Sequence, residues 1–329
     1  MIVEEPQESY CLFGTMTLLK RLQDVVKEID GVRKAEDIEC IHDMRVATRR
    51  TRSALALFES CFPGKNVKKW NKQMRRVTRA LGTARDTDVQ MDFLKEFLES
   101  LTETRHRAGV RRLLLRLQQR RDKAQGEVLK AMDGLELSGV LAGMGRTLRQ
   151  ARVHSRMRQV DEHSPYVYQQ AYLAMATRLE NMLGYEIYVN QPERIAELHA
   201  MRIAAKRLRY TIEIFAPLYD DELKETLKTA RKVQTLLGDI HDCDVWVEYL
   251  PQFLEEEKAR TMEYYGHTRP FSRLASGLLY LKQERQDHRM SLHHEFVDFW
   301  QQLQSENTWD NFLEQISPPN PTPPENMEL

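Results

Sequence analysis

The chain has 329 residues, 41% of them hydrophobic and 30% charged, with only 14 Gly and 12 Pro. That composition excludes collagen-like and mostly disordered chains, and it suits long solvated helices better than a sandwich of short strands. Its 49 Lys+Arg balance 49 Asp+Glu, yet the charge is segregated: residues 42–79 hold 11 cations against 2 acids, 105–123 hold 8 against 1, and 251–329 hold 7 against 13. A basic segment of this kind points to an anionic partner.

Helical spacing runs through nearly the whole chain. It predicts helices over 9–30, ended by Gly31; over 42–60, stopped by Pro63-Gly64; over 65–81, with Gly82 just past its end; and over 87–103, with Asp86 and Asp88 as N-caps. Further helices are predicted over 105–132, 138–157, 165–188 (opened by Ser164-Pro165), 193–216, 220–237, 243–258, 270–285 and 288–316. The Pro-rich end, 317–329, reads as disordered. The Met residues and the Tyr-rich stretch 166–188 sit at helical spacing and read as core.

Cys11, Cys40, Cys61 and Cys243 show no CxxC spacing. They read as reduced thiols of a cytosolic protein, with neither a disulfide framework nor a zinc ribbon. No stretch approaches 18 uncharged apolar residues, so no membrane span is expected. The start, MIVEEPQESY, lacks the basic-then-apolar run of a signal peptide. The expected location is the cytoplasm.

The chain repeats itself. HDMRVATRRTRSALALF at 42–58 matches HAMRIAAKRLRYTIEIF at 199–215 with an offset of 157, and LGTARDTDV at 81–89 matches LGDIHDCDV at 237–245 with an offset of 156. Two blocks in the same order, almost equally spaced, indicate a tandem duplication. The reading is one domain over 1–316, built from repeats over about 9–158 and 164–316.

At about 100° per residue, His42, Arg45, Arg49 and Arg52 share one stripe about 80° wide, opposite Met44, Ala47, Thr51, Leu55 and Phe58. His199, Arg202, Lys206 and Arg209 form the same stripe in the second copy, while Arg50 and Arg207 lie off it. In the next helix Lys65, Lys68, Lys69, Lys72, Arg75, Arg76 and Arg79 fall within about 120° with no acid among them, so like charges repel at i,i+3 and i,i+4. A merely solvated face would intersperse Glu, so the stripe reads as an anion track. Its second copy keeps Lys228 and Arg231 but adds Glu222 and Glu225. Arg105, Arg112, Arg116 and Lys123 share another face, and Arg146, Arg149, Arg152 and Arg156 a further one; some of these are expected to pair with the acidic C-terminal helices.

These two blocks, present twice, resemble the CHAD domain family over roughly residues 9–316. The resemblance implies an all-α fold of two pseudo-symmetric four-helix-bundle-like repeats around a central basic pore or groove. It also implies a module that binds inorganic polyphosphate and is not an enzyme. Some relatives carry a CYTH phosphohydrolase domain; no ExExK motif occurs here, so the chain is expected to be a stand-alone module, with polyphosphate granules as one place of association. Matching positions and stripe geometry nominate His42, Arg45, Arg49, Arg52, Lys69, Lys72, Arg76 and Arg79 from the first repeat. From the second they nominate His199, Arg202, Lys206, Arg209, Lys228 and Arg231. A polymer of phosphates has no bases to read, so charge-assisted hydrogen bonds from Arg and Lys are the donors it needs.

Two other functions are weighed. A nucleic-acid-binding protein could use the same stripe, but no aromatics interleave it for base stacking. A phosphohydrolase would need a metal or a nucleophile. The His-Asp dipeptides at 42–43 and 241–242 come without HExxH or spaced carboxylates, so no metal site, cofactor or catalytic residue is expected. The aspartates of RDTDV and HDCDV are expected to cap the next helix or to hold Arg50 and Arg207, with Asp86 mattering more to stability than to ligand contact.

Overall fold

The computed structural model describes residues 6–34 and 38–318, and every regular element among them is helical. The order is α1 Pro6–Lys34, α2 Ile38–Leu57, α3 Gly64–Ser100, α4 Thr104–Leu137, α5 Val140–Met157, α6 Pro165–Leu183, α7 Ile195–Phe215, α8 Lys224–Tyr265, α9 Phe271–Ser305 and α10 Thr308–Gln315. Short 3-10 turns follow α2, α6 and α7. The all-α expectation is met. The expected disordered end lies, from residue 319 onward, outside the described residues.

Several predicted boundaries are absent. Helices expected over 65–81 and 87–103 are the single α3, and those over 220–237 and 243–258 are the single α8. The pair over 270–285 and 288–316 divides elsewhere, after Ser305, where Asn307 adopts a left-handed conformation (φ 49°). Gly82 and Gly238 therefore do not stop helices. Each sits mid-helix where an arginine crosses: a Cβ on Gly82 would stand 3.6 Å from Arg45 Nε, and one on Gly238 would stand 3.7 Å from Arg202 Nε. Asp86 and Asp88, inside α3, cap nothing.

Neighbours recur in order. α1 packs on α2, α2 on α3 and α3 on α4; α6 packs on α7, α7 on α8 and α8 on α9. The halves meet through α1–α6, α2–α7 and α4–α9. At the α2–α7 contact the repeat-equivalent Phe58 and Phe215, both fully buried, meet edge to face at 6.1 Å, and Phe13 stacks on Phe215 at 5.6 Å. Aromatic pairs at such distances add to what burial alone contributes. At the α4–α9 crossing, a Cβ on Gly109 would collide with the Leu274 carbonyl, and one on Gly277 with the His106 carbonyl. Only glycine permits that approach.

Ion pairs fasten the outer helices. Asp88 accepts from Arg121 of α4 at 2.7 Å, and Asp244 accepts from Arg289 of α9. These arginines, rather than the expected Arg50 and Arg207, hold the second aspartate of RDTDV and of HDCDV. Arg50 instead reaches across the halves to Glu213 at 3.1 Å. Glu257, from the acidic segment, is buried and gathers Arg116 (2.8 Å), Arg260 (2.6 Å) and Arg112 (3.7 Å). Burial alone would raise its pKa, but the hydrogen bonds from Arg116 and Arg260 hold it below the usual range. Part of the α4 basic cluster is thus structural.

The cysteine reading needs one correction. Cys11 and Cys61 are joined in a disulfide, with Cα atoms 5.1 Å apart, tying α1 to the turn after α2; Cys243 is a buried free thiol. A separation of 50 residues carries no spacing signature, and the pair meets only because α1 packs on α2.

Candidate functional site

The stripes of α2 and α7 are brought together because these helices cross through Phe58 and Phe215. A cleft of about 350 Å³ opens beside the crossing. Four guanidinium groups (Arg49, Arg52, Arg178, Arg207) and the Lys206 ammonium line it, without a carboxylate in the wall. Tyr210 forms its floor, covered by Arg49 at 5.5 Å and Arg209 at 4.7 Å from the ring centre. The ring attracts both cations, and Arg209 also pairs with Glu213 at 3.4 Å.

The crowding is visible in proton affinities. Lys206 has no ion-pair partner among the described residues. Its pKa is pushed down to about 7, first by loss of water and then by Arg49, Arg202, Arg45 and Arg207. Burial also lowers the affinity of Arg49, with Arg45, Arg209 and Arg202 acting in the same direction. A site that holds cations against their own repulsion is prepared for an anion.

At the N-terminal ends of the stripes the charge is mixed. Arg45 pairs with Asp86 at 3.3 Å. His199 and His241 stand Nδ1 to Nδ1 at 3.1 Å. Desolvation lowers both, His241 to about 4, with Arg202 the next cause in each case. Asp242 is solvent-accessible, yet protein atoms crowd its carboxyl and raise it to about 6 by lost hydration; Arg202 opposes this, and Asp239 and Asp86 add to it. Among the described residues no three His, Cys, Asp or Glu side chains gather closely enough to hold a metal ion.

The nominated residues divide into groups. Arg45, Arg49, Arg202, Lys206 and Arg209 face one another between α2 and α7, and Arg52 lines the outer cleft while donating to Asn71 of α3 at 3.3 Å. His199 lies beside His241, and His42 is half-buried on α2. Lys69, Lys72 and Arg79 are exposed along α3 and make no ion pair among the described residues. Arg76, also exposed, turns toward α4: a Cβ on Gly134 would lie 2.8 Å from its Nη1. Lys228 pairs with Glu225 at 3.5 Å, and Arg231 is exposed.

Arg75, in the same stripe, lies close enough to Arg52 to depress it, while Arg76 turns toward α4. Arg207, off the stripe, lines the cleft, as does Arg178, which comes from α6 without any sequence signal.

The family model for the CHAD domain matches residues 17–251. The chain belongs to the CHAD domain family. It is 28% identical over 239 residues to Uncharacterized protein MT2285 of Mycobacterium tuberculosis strain CDC 1551 / Oshkosh and, to the same extent, to Uncharacterized protein Rv2226 of strain ATCC 25618 / H37Rv. Those matches cover 68% of this chain and 42% of each relative, so the chain spans about two-fifths of their length. Its fold is similar to the crystal structure of the CHAD domain from the plant Ricinus communis, with a TM-score of 0.62 at 22% identity, covering 86% of this chain and 91% of that one. It is also similar to PptA from Streptomyces chartreusis, with a TM-score of 0.61 at 14% identity over 89% of this chain and 99% of the other. No helix among the described residues is long and apolar enough to cross a membrane.

Proposed function

We propose that this chain binds inorganic polyphosphate without cleaving it, in the cytoplasm and in association with polyphosphate granules. The polymer would lie between α2 and α7 and continue along the exposed cations of α3. One observation carries the reading: five cations line a single cleft with no carboxylate in its wall. Uncompensated charge at that density is costly unless an anion supplies the balance. Phosphate oxygens accept from several guanidinium groups at once, which suits a wall of arginines. Nucleic acid is the less favoured ligand, because the cleft's one aromatic ring, Tyr210, is buried and already taken up by contacts with Arg49 and Arg209.

The test is calorimetry with long-chain polyphosphate at two salt concentrations, with single-stranded RNA and duplex DNA as competitors. Sub-micromolar binding that weakens with salt and resists both competitors is expected. Arg45→Glu combined with Arg202→Glu should abolish it, with thermal melts confirming a folded protein. Failure of polyphosphate to bind, or ready displacement by RNA at physiological salt, overturns the proposal. Phosphate release on adding Mg²⁺ would overturn the non-catalytic part alone.

A further inference from the structure

Lys206 is the one primary amine in the cleft wall; the other four cationic side chains there are guanidinium groups. It is half-buried, and no carboxylate pairs with it among the described residues. Arg45 and Arg49 face it from α2, and Arg202 and Arg207 flank it on α7. An amine so placed gives up its proton near neutral pH and becomes a nucleophile, as lysines do beside other cations in desolvated pockets. Meanwhile Arg49, Arg52, Arg178 and Arg207 line the same cleft of about 350 Å³, where a small phosphate-bearing molecule would be held against the amine.

We propose that Lys206 is a site of covalent acylation by small acyl phosphates. The Lys206 Nζ lone pair attacks the carbonyl carbon, and the bond from that carbon to the phosphate oxygen breaks. An amide forms, inorganic phosphate leaves with the bond's electron pair, and the ammonium proton passes to water. Charge grows on the departing phosphate, and the surrounding guanidinium groups stabilise it where it develops. The cleft thus supplies both nucleophile and leaving-group stabilisation, whatever its larger ligand is. Acylation removes one of the five cleft cations, so the modified form should bind polyanions more weakly; that consequence alone rests on the function proposed above.

The experiment incubates the folded full chain with acetyl phosphate at pH 7.5 and follows acetylation of each lysine by mass spectrometry. Lys206 should react at least about tenfold faster than the exposed Lys68 and Lys72, its larger neutral fraction outweighing its lower basicity. Excess inorganic phosphate should slow Lys206 and leave Lys68 unchanged. Arg52→Gln with Arg178→Gln, which leaves in place the four arginines that depress Lys206, should slow acetylation by acetyl phosphate while leaving the reaction with acetic anhydride, which carries no phosphate, nearly unchanged. Equal rates at Lys206 and Lys68 would overturn the proposal. So would equal slowing with both reagents in the double variant, since the arginines would then not act on the phosphate.

Discussion

Raising the pH from 7 to 8.5 should weaken polyphosphate binding through Lys206. In the free protein this amine is pushed down to about 7 from an ordinary 10.5 by burial and four neighbouring cations. A polyanion laid against it cancels that repulsion and returns the amine toward its ordinary value. Binding then takes up a proton wherever the free amine is neutral, and affinity scales with (1 + 10^(pKa,bound − pH))/(1 + 10^(pKa,free − pH)). With those two values the factor falls roughly fifteenfold between pH 7 and 8.5. Burial holds His199 and His241, the two imidazoles beside Arg202, below their ordinary value and so below this window, and long chains keep the polymer's end groups a minor contribution. Calorimetry in two buffers of different ionisation heat reads the proton directly: uptake should be about half a proton at pH 7 and approach one at pH 8.5. Lys206→Arg should bind with a flat profile. A pH-independent wild type, or a Lys206→Arg variant that keeps the same slope, would refute the argument. Stability has the opposite sign. The folded pKa lies below the unfolded one, so the unfolded chain binds more protons between about pH 7 and 10.5, and unliganded stability should rise with pH across that window.

Asp88→Ala should cost about 3 kcal/mol, because it leaves Arg121 unpaired with 17% of its side chain exposed; Asp86→Ala should stay within about 1 kcal/mol, since its carboxyl is 66% exposed, and paired thermal melts compare the two. Gly277→Ala should destabilise by about 2–3 kcal/mol by driving a methyl into the α4 backbone, whereas Gly126→Ala, in α4 with open space around it, should stabilise by up to about 1 kcal/mol; urea titrations read both. A reductant should lower the melting temperature, with about 4 kcal/mol as the chain-entropy figure for a link spanning 50 residues, and Cys11→Ser should melt at the same temperature with or without it.

The helices and the two cation stripes were legible because each is a local, periodic signal. So were the hydrophobic positions opposite them, such as Phe58 and Phe215, which pack between the halves. What failed was anything decided by a partner distant in sequence. Gly82 looks like a helix end until Arg45 is seen crossing over it. Asp86 and Asp88, two residues apart in one motif, point to different helices and do different work: exposed Asp86 holds a stripe arginine of α2, while buried Asp88 holds a half-buried arginine from α4. Glu257 is one acid among many in the C-terminal segment, and only the approach of α4 makes it the centre of three arginines. Arg178 reaches the cleft from a helix with no basic pattern, so no reading of charge along the chain could nominate it.

The continuity of α3 has a consequence for how a polymer would sit on it. Its seven cations from Lys65 to Arg79 rise along about 21 Å of one unbroken helix at near-regular intervals, and all are exposed, with Arg75 leaning toward α2 and Arg76 toward α4. Such a ladder has no preferred starting rung. A chain with identical units can engage it one unit further along for the same energy, so every shift counts as a separate bound state. A hundred equivalent registers favour the complex by about 2.7 kcal/mol without one added contact. Affinity per molecule would keep growing with the logarithm of polymer length after the last cation is covered. The polymer could also slide along the helix without ever leaving it.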